Sequence, residues 1–192
     1  MSVRGGMAGA FALMLVLAGC SPPPPARFFE GTWFEYDRLY RNAALGFAFQ
    51  FRGNWSVAIT PHQMSPAGRK AARALEAEGR ELLFTAATVE GSQGCRGIVD
   101  HLNLTNTDYL AGIREANRAT IEEDYGAESF QTPATTFLKW EYRFAGMRFV
   151  EFLFRNGTYN IRIAFWTDPQ RYEHFLPEYE RMMRTLVFTD RL

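Results

Sequence analysis

Three runs between Ala134 and Thr167 alternate with a period of two, and together they confine this part of the chain to a β-meander. Leu138, Trp140, Tyr142 and Phe144 alternate with Lys139, Glu141 and Arg143. Val150, Phe152 and Phe154 alternate with Glu151, Leu153 and Arg155, and Tyr159, Ile161, Ile163 and Phe165 with Asn160, Arg162 and Ala164. Successive side chains of a strand point to opposite faces, so each run reads as a strand. Asn156-Gly157 is a strong signal for a two-residue type I′ hairpin loop. Used that way, it sets Phe154 opposite Tyr159, Phe152 opposite Ile161 and Glu151 opposite Arg162, pairing like with like and charge with countercharge. For the earlier hairpin, a two-residue Ala145-Gly146 loop would oppose Trp140 to Glu151. A three-residue loop, Ala145-Gly146-Met147, opposes Tyr142 to Val150 and Trp140 to Phe152. Pairing of apolar residues favours the longer loop with Gly146 at positive φ, and predicts a meander with one apolar face.

The flanking segments supply further elements. Phe34 to Ile59 reads as strands, with Phe47, Phe49 and Phe51 alternating with Ala48 and Gln50, and Trp55 to Ile59 following a Gly53-Asn54 turn. A first helix is expected from about Pro66 to Glu78, with Ser65 as N-cap, Pro66 in the first turn and Gly79 past the end. Leu82 to Val89 and Ile98 to Leu104 read as strands joined by a glycine-spaced loop, Gly91 to Gly97. A second helix is expected after Thr107, running to about Tyr125, with Glu122, Glu123, Asp124 and Glu128 as a solvated acidic group at its end. The closing helix follows Asp168 and Pro169. Its apolar stripe is Tyr172, Phe175, Leu176, Tyr179, Met183 and Leu186, suited to lie on the meander, and Pro177 is expected to kink it or restart it near Leu176. Strands followed by helices packed on a mainly antiparallel sheet define an α+β domain.

The N-terminus carries a different kind of information. One cation, Arg4, precedes an apolar run from Met7 to Ala18, and Leu17-Ala18-Gly19-Cys20 closes it. That is the layout of a secretory signal, and the run is too short for the roughly 20 residues of a membrane-spanning helix. Leu-Ala-Gly-Cys resembles the lipobox of bacterial lipoproteins, in which the cysteine becomes the first residue of the mature chain and is acylated. The resemblance implies a signal peptide over residues 1–19, lipidation of Cys20, and attachment at the periplasmic face of the inner or outer membrane. Ser21 to Ala26, with four consecutive prolines, then forms a polyproline II spacer of about 15–20 Å. Residues 28–192 remain as one globular domain, long enough to bury a core without metals or disulfides.

Charge and reactive side chains narrow the function. The net charge is +0, becoming −1 once Arg4 is lost, and no basic stripe is present, so nucleic acid is not an expected partner. The two cysteines are Cys20 and Cys95; with Cys20 acylated, Cys95 reads as a buried small residue without a disulfide partner. His62, His101 and His174 have no companions at metal-ligand spacing, so no metal site, cofactor or catalytic set is assigned. Cys95, Asp100 and His101 fail as a nucleophilic triad, because adjacent strand residues point to opposite faces. The Gly91–Gly97 loop matches neither a dinucleotide nor a P-loop fingerprint.

Tyr40, the segment Leu45-Gly46-Phe47-Ala48-Phe49, Asn54-Trp55, the long hairpins and then Tyr179, Met183 and Leu186-Val187-Phe188 resemble the PsbP-like α/β/α sandwich group. That group contains photosystem extrinsic subunits, a Ran-binding import factor and DcrB-like envelope lipoproteins. The resemblance spans residues 34–188 and implies a binding or assembly role. The resulting expectation is a lipid-anchored cell-envelope protein that is not an enzyme and binds an envelope protein or a small apolar ligand. An envelope hydrolase using His101 or Cys95 beside a carboxylate, and a structural subunit of an envelope complex, are the alternatives.

Overall fold

In the computed structural model, which describes Phe29 and residues 31–189, two antiparallel sheets and three helices form an α+β sandwich. The smaller sheet runs β1 (Thr32–Phe34), β2 (Leu39–Asn42), β3 (Phe47–Gln50) and β11 (Val187–Phe188). The larger has the order β4 (Trp55–Ala58), β5 (Glu81–Thr88), β6 (Gln93–Asp100), β10 (Tyr159–Thr167), β9 (Met147–Asn156), β8 (Thr136–Phe144) and β7 (Ile121–Gln131). The helices are α1 (Pro66–Ala77), α2 (Asn106–Asn117) and α3 (Tyr172–Met183). Residues 1–28, among them Cys20 and the proline spacer, lie outside the described residues.

The large sheet is covered on both faces. On one, Phe47 and Phe49 of the small sheet and Tyr179 and Met183 of α3 join Phe152, Phe154, Ile163 and Phe165 in a single aromatic core. On the other, Tyr109, Leu110 and Ile113 of α2 cover Trp140, Tyr142, Phe149 and Leu153. Beside them, Met64 and Ala72 of α1 and its approach cover Leu82 and Ile98. The caps of α1 follow the sequence signals: the Ser65 hydroxyl accepts from the Gly68 N–H at 3.1 Å, and Gly79 ends the helix at φ +75°. Asp168 caps a 3-10 turn that leads into α3, and α3 passes through Pro177 without interruption. The helix does not restart at Pro177, which lies on the exposed side, where the carbonyl freed by its missing N–H meets solvent.

The two-sided burial overturns the expectation of one apolar face, and with it both hairpin registers. Glu151, Leu153, Arg162 and Ala164 are as buried as the residues between them. Alternation therefore cannot rank one register above its neighbour. The Ala145-Gly146 loop has two residues, both at positive φ, and it opposes Trp140 to Glu151 and Tyr142 to Phe149. At the next hairpin the loop is Gly157-Thr158, with Asn156 opposite Tyr159 and Phe154 opposite Ile161. Asn156 is drawn into the strand because its side-chain amide donates to the Leu45 carbonyl at 2.6 Å, tying the hairpin to the small sheet.

Two further elements differ. The Gly91–Gly97 loop is strand from Gln93 onward. Gly94 faces Trp166 across the ladder and Gly97 faces Phe84, and in each case the aromatic ring occupies the space of a Cβ. The second helix starts at Asn106, capped by Thr105, and stops at Asn117. The acidic group lies beyond it on β7, an exposed edge strand with two bulges and Gly126 at φ +100°. Pairing with β8 decides that conformation: Glu122 accepts from Arg143 Nε at 2.8 Å, and Asp124 accepts from the Trp140 indole at 3.0 Å and from Arg114 at 2.9 Å. The charges protect an edge that would otherwise template another strand.

Candidate functional site: the cleft beneath α1

α1 is a poor lid, and the reason is in its sequence. The face it turns to the sheet carries Gly68, Ala71, Ala72 and Leu75, while the sheet below presents Ser56, Ala58, Thr85 and Ala87. With short side chains on both sides, the space between helix and sheet is left unfilled. An open slot of about 420 Å³ is left, walled by Met64, Leu75, Leu82, Ala86 and the Trp166 indole. That size and apolar lining fall within the range of small-molecule sites.

At its inner end the slot meets a second, narrower furrow of about 150 Å³ between α1 and α2, with Leu75 and Arg96 shared by both. The furrow's floor is ionic. Glu151 is fully buried and accepts from the Tyr142 hydroxyl at 2.8 Å. It also pairs with Arg162 Nη1 at 3.4 Å and Arg96 Nη2 at 3.7 Å. Burial, and then the neighbouring Glu151 carboxylate, push the Tyr142 phenol well above its usual range. Asp100 accepts from the Tyr109 hydroxyl and faces Arg80 Nε at 3.4 Å, and Arg80 also reaches Glu78 at 2.8 Å. Burial raises the Asp100 carboxyl above its ordinary value, against the pull of Arg162 and Arg80. Arg96, Asp100, Glu151 and Arg162 sit on β6, β9 and β10, the middle of the sheet, where an unpaired ion would be too costly to keep.

The balance is uneven. Arg80 pairs with two carboxylates and Arg162 is attracted by both Glu151 and Asp100, whereas Arg96 has the longest contact of the set, 3.7 Å to Glu151. The buried Nε atoms of Arg96 and Arg162 have no hydrogen-bond partner there. Arg162 is 4% exposed, while the Arg96 side chain keeps 31% of its surface open toward the cleft. Chemically, the cleft offers an apolar slot that ends on a guanidinium with capacity to spare.

The residues singled out in the sequence are placed apart from one another. Cys95 is fully buried in the aromatic core, a free thiol whose pKa burial pushes well up. Asp100 turns toward α2, while His101 is exposed on the other side against Tyr159 and Phe29, ring centroids 4.9 and 6.0 Å away. His62 and His174 are exposed and separate. The hydrolase constellation is therefore not assembled, since neither Cys95 nor His101 has a carboxylate hydrogen-bonded to it among the described residues. Arg96, Arg162 and Glu151 carry no site signal in the sequence, because they stand at alternate positions that suit a solvent-facing strand. Glu151 and Arg162, as cross-strand countercharges, were the one available hint.

No family model matches the sequence, and no curated protein does. The fold, an antiparallel sandwich with helices on both faces of its large sheet, is PsbP-like. The solution structure of cyanobacterial PsbP (CyanoP) from Synechocystis is similar to it with a TM-score of 0.51 at 12% identity, over 90% of this chain and 98% of that one. PA94 of Pseudomonas aeruginosa, a protein of unknown function, gives a TM-score of 0.40 at 11% identity, over 84% and 97% of the two chains.

Proposed function

We propose that this chain is a lipid-anchored protein of the bacterial cell envelope whose domain is a non-catalytic binding module for a small apolar molecule. The observation that carries the reading is the slot beneath α1. A void of about 420 Å³, open to solvent and walled mostly by apolar side chains, leaves apolar surface in contact with water that a ligand would cover. The PsbP-like fold suits a binding role without naming a ligand. The anchor rests on Leu17-Ala18-Gly19-Cys20, and acyl chains at about 0.8 kcal/mol per buried methylene make attachment durable when several are present. The proline spacer would hold the cleft close to the membrane surface, within reach of apolar molecules that partition there.

The slot is tested with decanol, a neutral apolar probe, titrated against the protein with tryptophan fluorescence and ligand-observed NMR as readouts. Saturable binding is expected. Ala71→Leu and Ala87→Leu, which place a larger side chain in the slot from opposite walls, are expected to abolish it while the thermal midpoint stays the same or rises. Absence of saturable binding to the parent protein, or equal binding to both filled variants, counts against the reading.

A further inference from the structure

We infer that the molecule held beneath α1 is a single-chain amphiphile ending in a carboxylate, with its chain in the apolar slot and its head on Arg96. The inference rests on the slot being a binding site and adds the chemistry of what it binds. Three observations point the same way. The slot and the ionic furrow meet at Leu75 and Arg96, so a ligand lying in the first reaches the second with one end. Arg96 is the least engaged guanidinium of that junction: its contact with Glu151 is long, at 3.7 Å, and the same carboxylate is also held by Arg162 and the Tyr142 hydroxyl. Both arginines keep a buried Nε–H without an acceptor, although buried polar groups are ordinarily satisfied.

The geometry separates the two arginines by role. Arg162 is buried and holds Glu151 in place, whereas Arg96 has a third of its side chain open to the cleft and its Glu151 contact is long, at 3.7 Å. Arg96 is therefore the group free to turn its planar fork to an incoming anion. Arg80, Arg96 and Arg162 already face three carboxylates, so a singly charged head adds the least charge that still engages Arg96. A phosphate monoester carries about −1.5 to −2 near neutral pH and would leave charge uncompensated in a furrow already holding Glu151, Asp100 and Glu78.

The experiment compares decanoate, decyl phosphate and decanol, titrated below their aggregation limits against the parent protein, Arg96→Gln and Ala71→Leu. Decanoate is expected to bind the parent about tenfold more tightly than decanol, the scale of a charge-assisted hydrogen bond. Decyl phosphate should bind no better than decanoate. Arg96→Gln should bring decanoate to the level of decanol and leave decanol unchanged, and Ala71→Leu should lose both. Decanol binding with no preference for decanoate overturns the head-group assignment and leaves the slot standing. Arg96→Gln weakening both probes equally also overturns it, and so does a marked preference for decyl phosphate. Failure of every probe to bind the parent removes the slot itself. The comparison of probes on the parent protein needs no variant, so a misfolded Arg96→Gln would not spare the proposal.

Discussion

Trp166 on β10 lies directly opposite Gly94 on β6, and its indole covers the glycine where a side chain would stand. The same device recurs three residues along β6 on the opposite face of the sheet, where Phe84 on β5 covers Gly97. Glycine weakens a strand, and an aromatic neighbour laid across it restores the lost packing.

Gly94→Ala is accordingly expected to destabilise the domain by about 1–3 kcal/mol, the range for overpacking a filled site. Gly97→Ala should cost at least as much, because Phe84 is fully buried while Trp166 is only half-buried and has room to swing. Urea unfolding of both variants gives the comparison, and a neutral Gly94→Ala would show that the indole moves freely.

Asp124 gives a prediction with a pH signature. Burial pushes its carboxyl up, but hydrogen bonds from the Gly126 N–H, the Trp140 indole and Arg114 outweigh that and hold it below its ordinary range. A depressed folded pKa contributes stability above the ordinary value near 3.8, and that contribution is lost as the pH falls through the lower folded value. Asp124→Ala should cost about 1–3 kcal/mol at pH 7, where the Trp140 N–H loses its acceptor. The gap from the parent should stay level down to about pH 5 and narrow below about pH 4. Denaturant midpoints across that range decide it; a gap that widens in acid would contradict the assignment.

Cys95 should be silent toward thiol reagents in the folded state. It is fully buried and its thiol is shifted away from the reactive thiolate. Ellman's reagent should find one slow thiol in the Cys20→Ala variant, reacting at a rate set by unfolding. Fast labelling would point to an opening of the core around β6.

Cys20 is tested in cells. The parent chain should take up labelled palmitate and sediment with membranes, whereas Cys20→Ala should do neither. A parent chain without label ends the lipoprotein reading, whatever its sedimentation.

The parts legible in the sequence were those governed by local chemistry. Ser65, Pro66 and Gly79 placed α1 to within a residue, Asp168 placed the entry to α3, and the stripe from Tyr172 to Leu186 identified the face it buries. The alternating runs of Ala134 to Thr167 fixed three strands but not their register. A shift of one residue exchanges two faces, and here both faces are buried, so Phe152 and Leu153 satisfy either choice. Gly94 and Gly97 carry a loop signal in the sequence, and only the rings of Trp166 and Phe84 across the ladder make them strand residues. The acidic run of β7 read as a helix end because its reason for being a strand, the pairing with Trp140 and Arg143 of β8, is a long-range one. The cleft belongs to the same kind. Nothing in Gly68, Ala71, Ser56 or Ala87 says that small residues will meet across a helix–sheet boundary, and nothing in Arg96, Glu151 or Arg162 says that they will be buried together. Local chemistry by itself determined where α1, α3 and the meander strands lie and the class of the domain. Tertiary packing alone decided register, the edge strand and the cleft, because each depends on which surfaces are covered from afar.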